Sequence, residues 1–125
     1  MAFRHFRGKK PPVFAHESER DLAELLDESG VPWEYEPHTF PLEHDAHGRV
    51  AEAVTPDFYL PDAGIYIECT EMKPSRANRK RRKLRKLRIQ YGEVVTYVDR
   101  RGFERLRAKY FKAKRNGTRD GRRPA

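Results

Sequence analysis

The sequence predicts a mixed α/β fold with elements in the order αβββαβα, in which helices flank a mixed sheet. Three patterns lead there. Leu22, Leu25 and Leu26 recur at helical spacing near the N-terminus. Two apolar-alternating runs, 51–60 and 65–72, flank the turn-forming residues Pro61, Asp62, Ala63 and Gly64. A long basic stretch then carries only a thin apolar stripe, Ala77, Leu84, Leu87 and Tyr91, and a valine-rich run follows it.

Residues 1–15 mix Arg, Lys, Gly and Pro with a few aromatics and are expected to form a loosely held basic arm. Residues 16–113 form the domain. Ser18 with Asp21 suggests a capping box, and Gly30 suits a C-cap, so the first helix is predicted over 18–29. Trp33, Tyr35, Phe40 and Leu42 suggest one strand, interrupted by Pro37, which suits a sheet edge. A polar loop over 43–49 leads to the two strands of the hairpin. Pro74 and Ser75 open a second helix that Gly92 ends. Val94, Val95, Tyr97 and Val98 make a short buried strand. A last helix is predicted over 101–113, with Phe103, Leu106 and Tyr110 inward. Residues 114–125 lack apolar periodicity and are expected to be a disordered basic tail.

Apolar and charged residues each make up 37% of the 125 residues, so the core must be small. The formal net charge of +8 favours a polyanionic partner, with nucleic acid first among the candidates. The single cysteine excludes an intramolecular disulfide. The basic start lacks the apolar stretch of a secretory signal, and no apolar run is long enough to span a membrane. The expected location is cytoplasmic.

The segment TPDFYLPDAGIYIECTEMK (55–73) carries the chemistry. With a turn at 61–64, Leu60 pairs with Ile65, and each outward step places Asp57 opposite Glu68. Alternation puts Asp57, Tyr59, Tyr66, Glu68 and Thr70 on one face, and Phe58, Leu60, Ile65, Ile67 and Cys69 on the other. The second face is apolar and belongs in the core. On the first, opposed Cβ atoms lie roughly 5 Å apart, where like charges destabilise. Two carboxylates so placed require a compensating cation or a retained proton. A hard divalent ion bound by carboxylate oxygens provides such compensation and can activate water against a phosphate. Solvation of both acids on an exposed hairpin is the alternative.

Asp57 behind Pro56, followed by Glu68 on the next strand, resembles the motif of the PD-(D/E)xK (restriction endonuclease-like) nuclease superfamily. The αβββαβ order, with an added C-terminal helix, is similar to that superfamily's core over roughly residues 16–107. The resemblance implies metal-dependent hydrolysis of DNA phosphodiesters, with Asp57 and Glu68 as metal ligands. It also implies Glu19 as the acid that many members place beside the metal; a helix-dipole acid in the first turn is the other account of Glu19. Where the superfamily has its lysine, this chain has Thr70, which can hydrogen-bond a water but supplies no charge. Lys73 is the nearest substitute, and the basic residues of the following helix are further candidates. Glu36 would either support the ligands from behind or pair with an arginine.

The run RANRKRRKLRKLR (76–88) is predicted to lay Arg76, Arg79, Lys80, Arg82, Lys83 and Lys86 along a nucleic-acid backbone. Asn78 and Gln90 could add hydrogen bonds. His44, Asp45 and His47 fit an exposed loop better than a zinc site. Cys69 fits a buried thiol, and Trp33 and Tyr35 fit the core. The leading expectation is a Mg²⁺- or Mn²⁺-dependent DNA endonuclease acting on duplex or branched DNA. A homodimer would suit double-strand cleavage, although no interface is legible. The alternatives are a nuclease-fold DNA-binding protein without turnover and a basic accessory module acting through protein contacts.

Overall fold

The computed structural model describes residues 3–70 and 74–99, together with 101, 102, 104, 105 and 108. The order of elements is α1 (Glu17–Glu28), β1 (Glu34–Tyr35), β2 (Phe40–His44), β3 (Val50–Val54), β4 (Phe58–Leu60), β5 (Ile65–Cys69), α2 (Pro74–Tyr91) and β6 (Val94–Val98). The fold is mixed α/β, as expected from the apolar patterning. Arg101, Gly102, Glu104, Arg105 and Ala108 are helical; the remainder of the expected last helix, with Phe103, Leu106 and Tyr110, lies outside the described residues, as does the tail 114–125.

The strands divide into two sheets. A four-stranded sheet has the order β1-β4-β5-β6, antiparallel except for the parallel β5–β6 pair. β2 and β3 form a separate antiparallel pair. This corrects two strand expectations. The run from Trp33 to Leu42 is two strands, not one, and 51–60 is also two. Both breaks have backbone causes. Glu36 adopts a left-handed conformation (φ 47°), and Pro37 follows. Pro56, which lacks an N–H, is fully buried between β3 and β4. The two crossing segments lie side by side. The Thr39 and Thr55 hydroxyls are 2.8 Å apart, and the Glu36 N–H donates to the Asp57 carbonyl at 2.7 Å.

The sheet has a core on each face. On one side, Phe58, Leu60, Ile67, Cys69 and Val98 pack with Leu22, Ala23, Leu25 and Leu26 of α1 and with Trp33. On the other, Tyr66 and Val95 pack with Leu84 and Leu87 of α2 and with Leu42 and Val54 of the β2–β3 pair. Among the described residues, the buried apolar contacts of α2 come from Leu84 and Leu87. Helix α1 starts from His16, with no side-chain cap, and Ser18 Oγ finds no hydrogen-bond partner among the described residues. The capping box expected at Ser18 is not formed, because Ser18 already lies inside the first turn. Gly30, at φ 75°, ends α1 as expected.

Residues 3–7 and 14–15 of the expected arm are tied to the domain by specific contacts. Phe6 pairs with Trp33 in an isolated parallel bridge, Trp33 N–H donates to the His5 carbonyl, and Arg7 N–H returns to the Trp33 carbonyl. The Asp27 carboxylate accepts from the N–H groups of Arg4 and His5 and from the Trp33 indole. Those three bonds lower the Asp27 pKa in spite of the opposing effect of burial. Phe3, Phe6 and Phe14 surround Trp33, with ring centroids 5.0, 4.9 and 6.3 Å away.

Candidate metal centre and its lysine

The β4–β5 hairpin has the register read from its turn. Leu60, Tyr59 and Phe58 oppose Ile65, Tyr66 and Ile67. Gly64, at φ 69°, closes the turn, and its N–H donates to the Leu60 carbonyl at 2.8 Å. Beyond the last ladder pair the side chains continue the pairing. Asp57 N–H donates to Glu68 Oε1 at 3.1 Å, and Cys69 N–H donates to Asp57 Oδ2 at 2.9 Å. Each acid is therefore held by a main-chain group of the other's strand. Both are buried, at 3% exposure, because the β2–β3 pair and α2 cover this face. The exposed-hairpin alternative does not hold.

The cation between them comes from α2. Lys80 Nζ lies 3.1 Å from Asp57 Oδ1 and 2.6 Å from Glu68 Oε2. Burial disfavours its charge, but the two carboxylates outweigh that effect and raise its pKa. One ammonium does not neutralise two carboxylates. Burial pushes the Asp57 carboxyl up, with partial relief from Lys80 and the Cys69 N–H. Burial and the adjacent Asp57 charge push Glu68 further, to about 8. Near neutrality the acid pair thus holds a proton in addition to the ammonium.

Lys80 occupies a place that the sequence reading gave to a phosphate contact. Its amino group is turned inward. The signal was present: residues 80, 84, 87 and 91 fall on one helical stripe, so Lys80 is in phase with the buried Leu84 and Leu87. A lysine in the apolar phase of an amphipathic helix implies an acidic partner in the core.

Glu19, 4% exposed in the first turn of α1, accepts from the Tyr35 hydroxyl at 2.6 Å and from Ala15 N–H at 2.9 Å. Its negative charge raises the pKa of both Asp57 and Glu36. The Tyr35 phenol, buried and bonded to this carboxylate, is held well above its ordinary pKa. Glu36 is raised by burial first, then by Asp57 and Glu19. Four carboxylates thus influence one another's charge, and two of them, Asp57 and Glu68, hold Lys80. Thr70 lies one strand alternation beyond Glu68 and shares with it, Lys80, Arg81 and Tyr97 the wall of a cavity of about 10 Å³. Lys73 lies outside the described residues.

Among the described residues, no three His, Cys, Asp or Glu side chains converge as a ready metal cage. The donor set of Asp57 and Glu68 nevertheless suits Mg²⁺, which keeps several waters and commonly binds through one or two carboxylates. His44 and His47 are exposed, in a turn fixed by Asp45, whose carboxylate accepts from the N–H groups of His47 and Arg49.

The basic residues of α2 separate by phase. Arg79 and Lys83 line an open groove of about 490 Å³ between α2 and β3, with Glu36, Thr55 and Lys80. Lys86 is held by Glu43 and Glu52, an opposed acid pair on β2 and β3, with the Glu52 contact at 2.7 Å. Arg82 is exposed, and the Arg76 side chain lies outside the described residues. Arg81 stacks over Tyr97, 4.7 Å from the ring centroid. Among the described residues no helix is long and apolar enough to cross a membrane. The chain matches no family model, no curated protein and no solved structure.

Proposed function

We propose that the chain is a divalent-metal-dependent endonuclease of the PD-(D/E)xK type, hydrolysing DNA phosphodiesters. The observation that carries this reading is the Asp57–Glu68–Lys80 constellation: two buried, mutually braced carboxylates with a lysine amine at 3.1 and 2.6 Å. Asp57 and Glu68 would hold Mg²⁺ or Mn²⁺. When bound, the ion supplies a Lewis acid and lowers the pKa of a coordinated water. Lys80 takes the part of the motif lysine from a neighbouring helix rather than from the strand. Lys80, within reach of both carboxylates, would orient a water and stabilise negative charge on the phosphate. Thr70 can hydrogen-bond the same water. Glu19 keeps Tyr35 and the arm in place and adds negative potential behind Asp57.

The test is nicking of supercoiled plasmid and of branched DNA in Mg²⁺ or Mn²⁺, comparing the wild type with Asp57→Ala and Glu68→Gln. Cleavage by the wild type alone is the expected outcome. Equal cleavage by all three would show that the site is elsewhere. One observation favours a second reading, a DNA-binding protein without turnover: Lys80 already compensates the acids, as a purely structural ion triad would. Salt-dependent DNA binding without cleavage or metal binding would favour it.

A further inference from the structure

The charge on α2 is not one undivided coat. Residues 79, 83 and 86 form one row, at i, i+4 and i+7, and residues 81, 85 and 88 form another. The first row faces β3. Lys86, at one end, is clamped by Glu43 and Glu52, which leaves Arg79 and Lys83 as the cations at the groove. That groove shares Lys80 and Glu36 with the acid cluster, so it opens onto the site itself. Its far wall is the end of β3 and the following Thr55, whose hydroxyl pairs with that of Thr39.

The second row borders a different groove, of about 520 Å³, with Arg85, Arg88, Ile89, Glu93 and Val94. This one is a poor seat for a phosphodiester. Ile89 and Val94 are exposed in it at 76% and 55%, Glu93 adds a negative charge, and neither Asp57 nor Glu68 lines it.

Resting on the nuclease reading, we infer that the strand to be cut enters along the α2–β3 groove, with Arg79 and Lys83 gripping backbone phosphates adjoining the scissile one. Arg79 offers a fork of donors to phosphate oxygens, and Lys83 a point charge one turn further on. Thr55 provides a neutral hydroxyl on the opposite wall. Glu36 lines the groove beside the acid cluster and disfavours phosphate there, so the grip is offset from the acids rather than over them. The α2–β6 groove takes no part, so contact with the backbone is confined to one flank of α2.

The experiment measures binding of a fluorescein-labelled 20-base-pair duplex to the full chain in Ca²⁺, over a salt series. It compares the wild type with R79A/K83A and the charge-matched R85A/R88A, all verified as folded by circular dichroism. Loss of two phosphate contacts predicts an affinity drop of roughly 50-fold near 0.1 M salt, and a slope of log K against log salt shallower by about 2. R85A/R88A should stay within about twofold of the wild type. Amine acetylation read by mass spectrometry should show Lys83 protected by the duplex. Equal losses in the two double variants, or no protection of Lys83, would overturn the groove assignment and leave the nuclease reading standing. A wild type that cuts DNA but loses binding only in R85A/R88A would place the strand in the other groove. No binding by the wild type would overturn both.

Discussion

Removing Lys80 as Lys80→Met tests the site most directly. Methionine keeps the length and apolar body of the side chain but leaves Asp57 and Glu68, each 3% exposed, without their ammonium. At an effective dielectric of about 20, one charge pair near 3 Å is worth on the order of 5 kcal/mol before desolvation. Breaking a buried pair by deleting one partner costs about 3–5 kcal/mol net. With unfolding entropy of about 2.1 cal/mol/K per residue over a chain of this length, 4 kcal/mol corresponds to a fall in Tm of about 15 °C at pH 8. The assay is thermal unfolding by circular dichroism in EDTA and then in Mn²⁺. If the carboxylates are metal ligands, Mn²⁺ at about 100 times its Kd should restore roughly 2.7 kcal/mol, or about 10 °C. The wild type should gain less, because Lys80 competes for the same oxygens. A Tm within about 3 °C of the wild type in EDTA would refute the energetic role given to Lys80. Absence of any Mn²⁺ shift in the variant would refute the metal reading while leaving the ion triad in place.

The pH dependence has a defined sign. Glu68 titrates near 8 in the folded chain against an ordinary 4.5, so its stabilising contribution is complete below pH 4.5 and is lost as pH rises towards 8. Urea unfolding in EDTA should therefore show stability falling across that window, and Glu68→Gln should flatten the slope; an unchanged slope in the variant would reject the assignment. Glu36→Gly should stabilise by about 1 kcal/mol, since glycine tolerates the left-handed backbone and the change removes a carboxylate crowded by Asp57 and Glu19. Urea midpoints read this, and a loss of stability would mean that the side chain contributes more than its strain costs. Trp33→Ala should cost about 3–5 kcal/mol and expose the arm to trypsin at Arg4 and Arg7, because four aromatic neighbours lose their common contact. Trypsin resistance equal to that of the wild type would show that the arm is held by other contacts.

The hairpin was legible because turn chemistry and period-2 alternation both act over a few residues. Once Gly64 ends the turn, Asp57 and Glu68 can share only one face. α2 was legible through Pro74, Gly92 and the stripe of Leu84 and Leu87. The parts that escaped are non-local. Nothing in the spacing of Phe3, Phe6 and Phe14 announces that they meet around Trp33, since three aromatics in an aperiodic arm show no preferred face. The strand breaks at Glu36 and at Pro56 depend on two distant segments lying side by side, and a proline alone marks an edge as readily as a crossing. Like-charge repulsion between Asp57 and Glu68 calls for a compensating cation or a retained proton, and Lys80 is the cation found there. Lys80 falls among the expected phosphate contacts when the basic run is read as a surface, although its phase with Leu84 and Leu87 turns it inward.

The β2–β3 pair shares no ladder with the main sheet. It is held to α2 by side chains: Lys86 to Glu43 and Glu52, Gln90 to the Leu42 carbonyl, and Tyr91 to the Pro41 carbonyl. Its two connections to the sheet, 36–39 and 55–57, both run past Asp57, and the Glu36 N–H is bonded to the Asp57 carbonyl. Because both connections meet at Asp57, and because Leu42 and Val54 pack against Leu84 and Leu87, the placement of the β2–β3 pair and the backbone position of Asp57 rest on the same set of contacts.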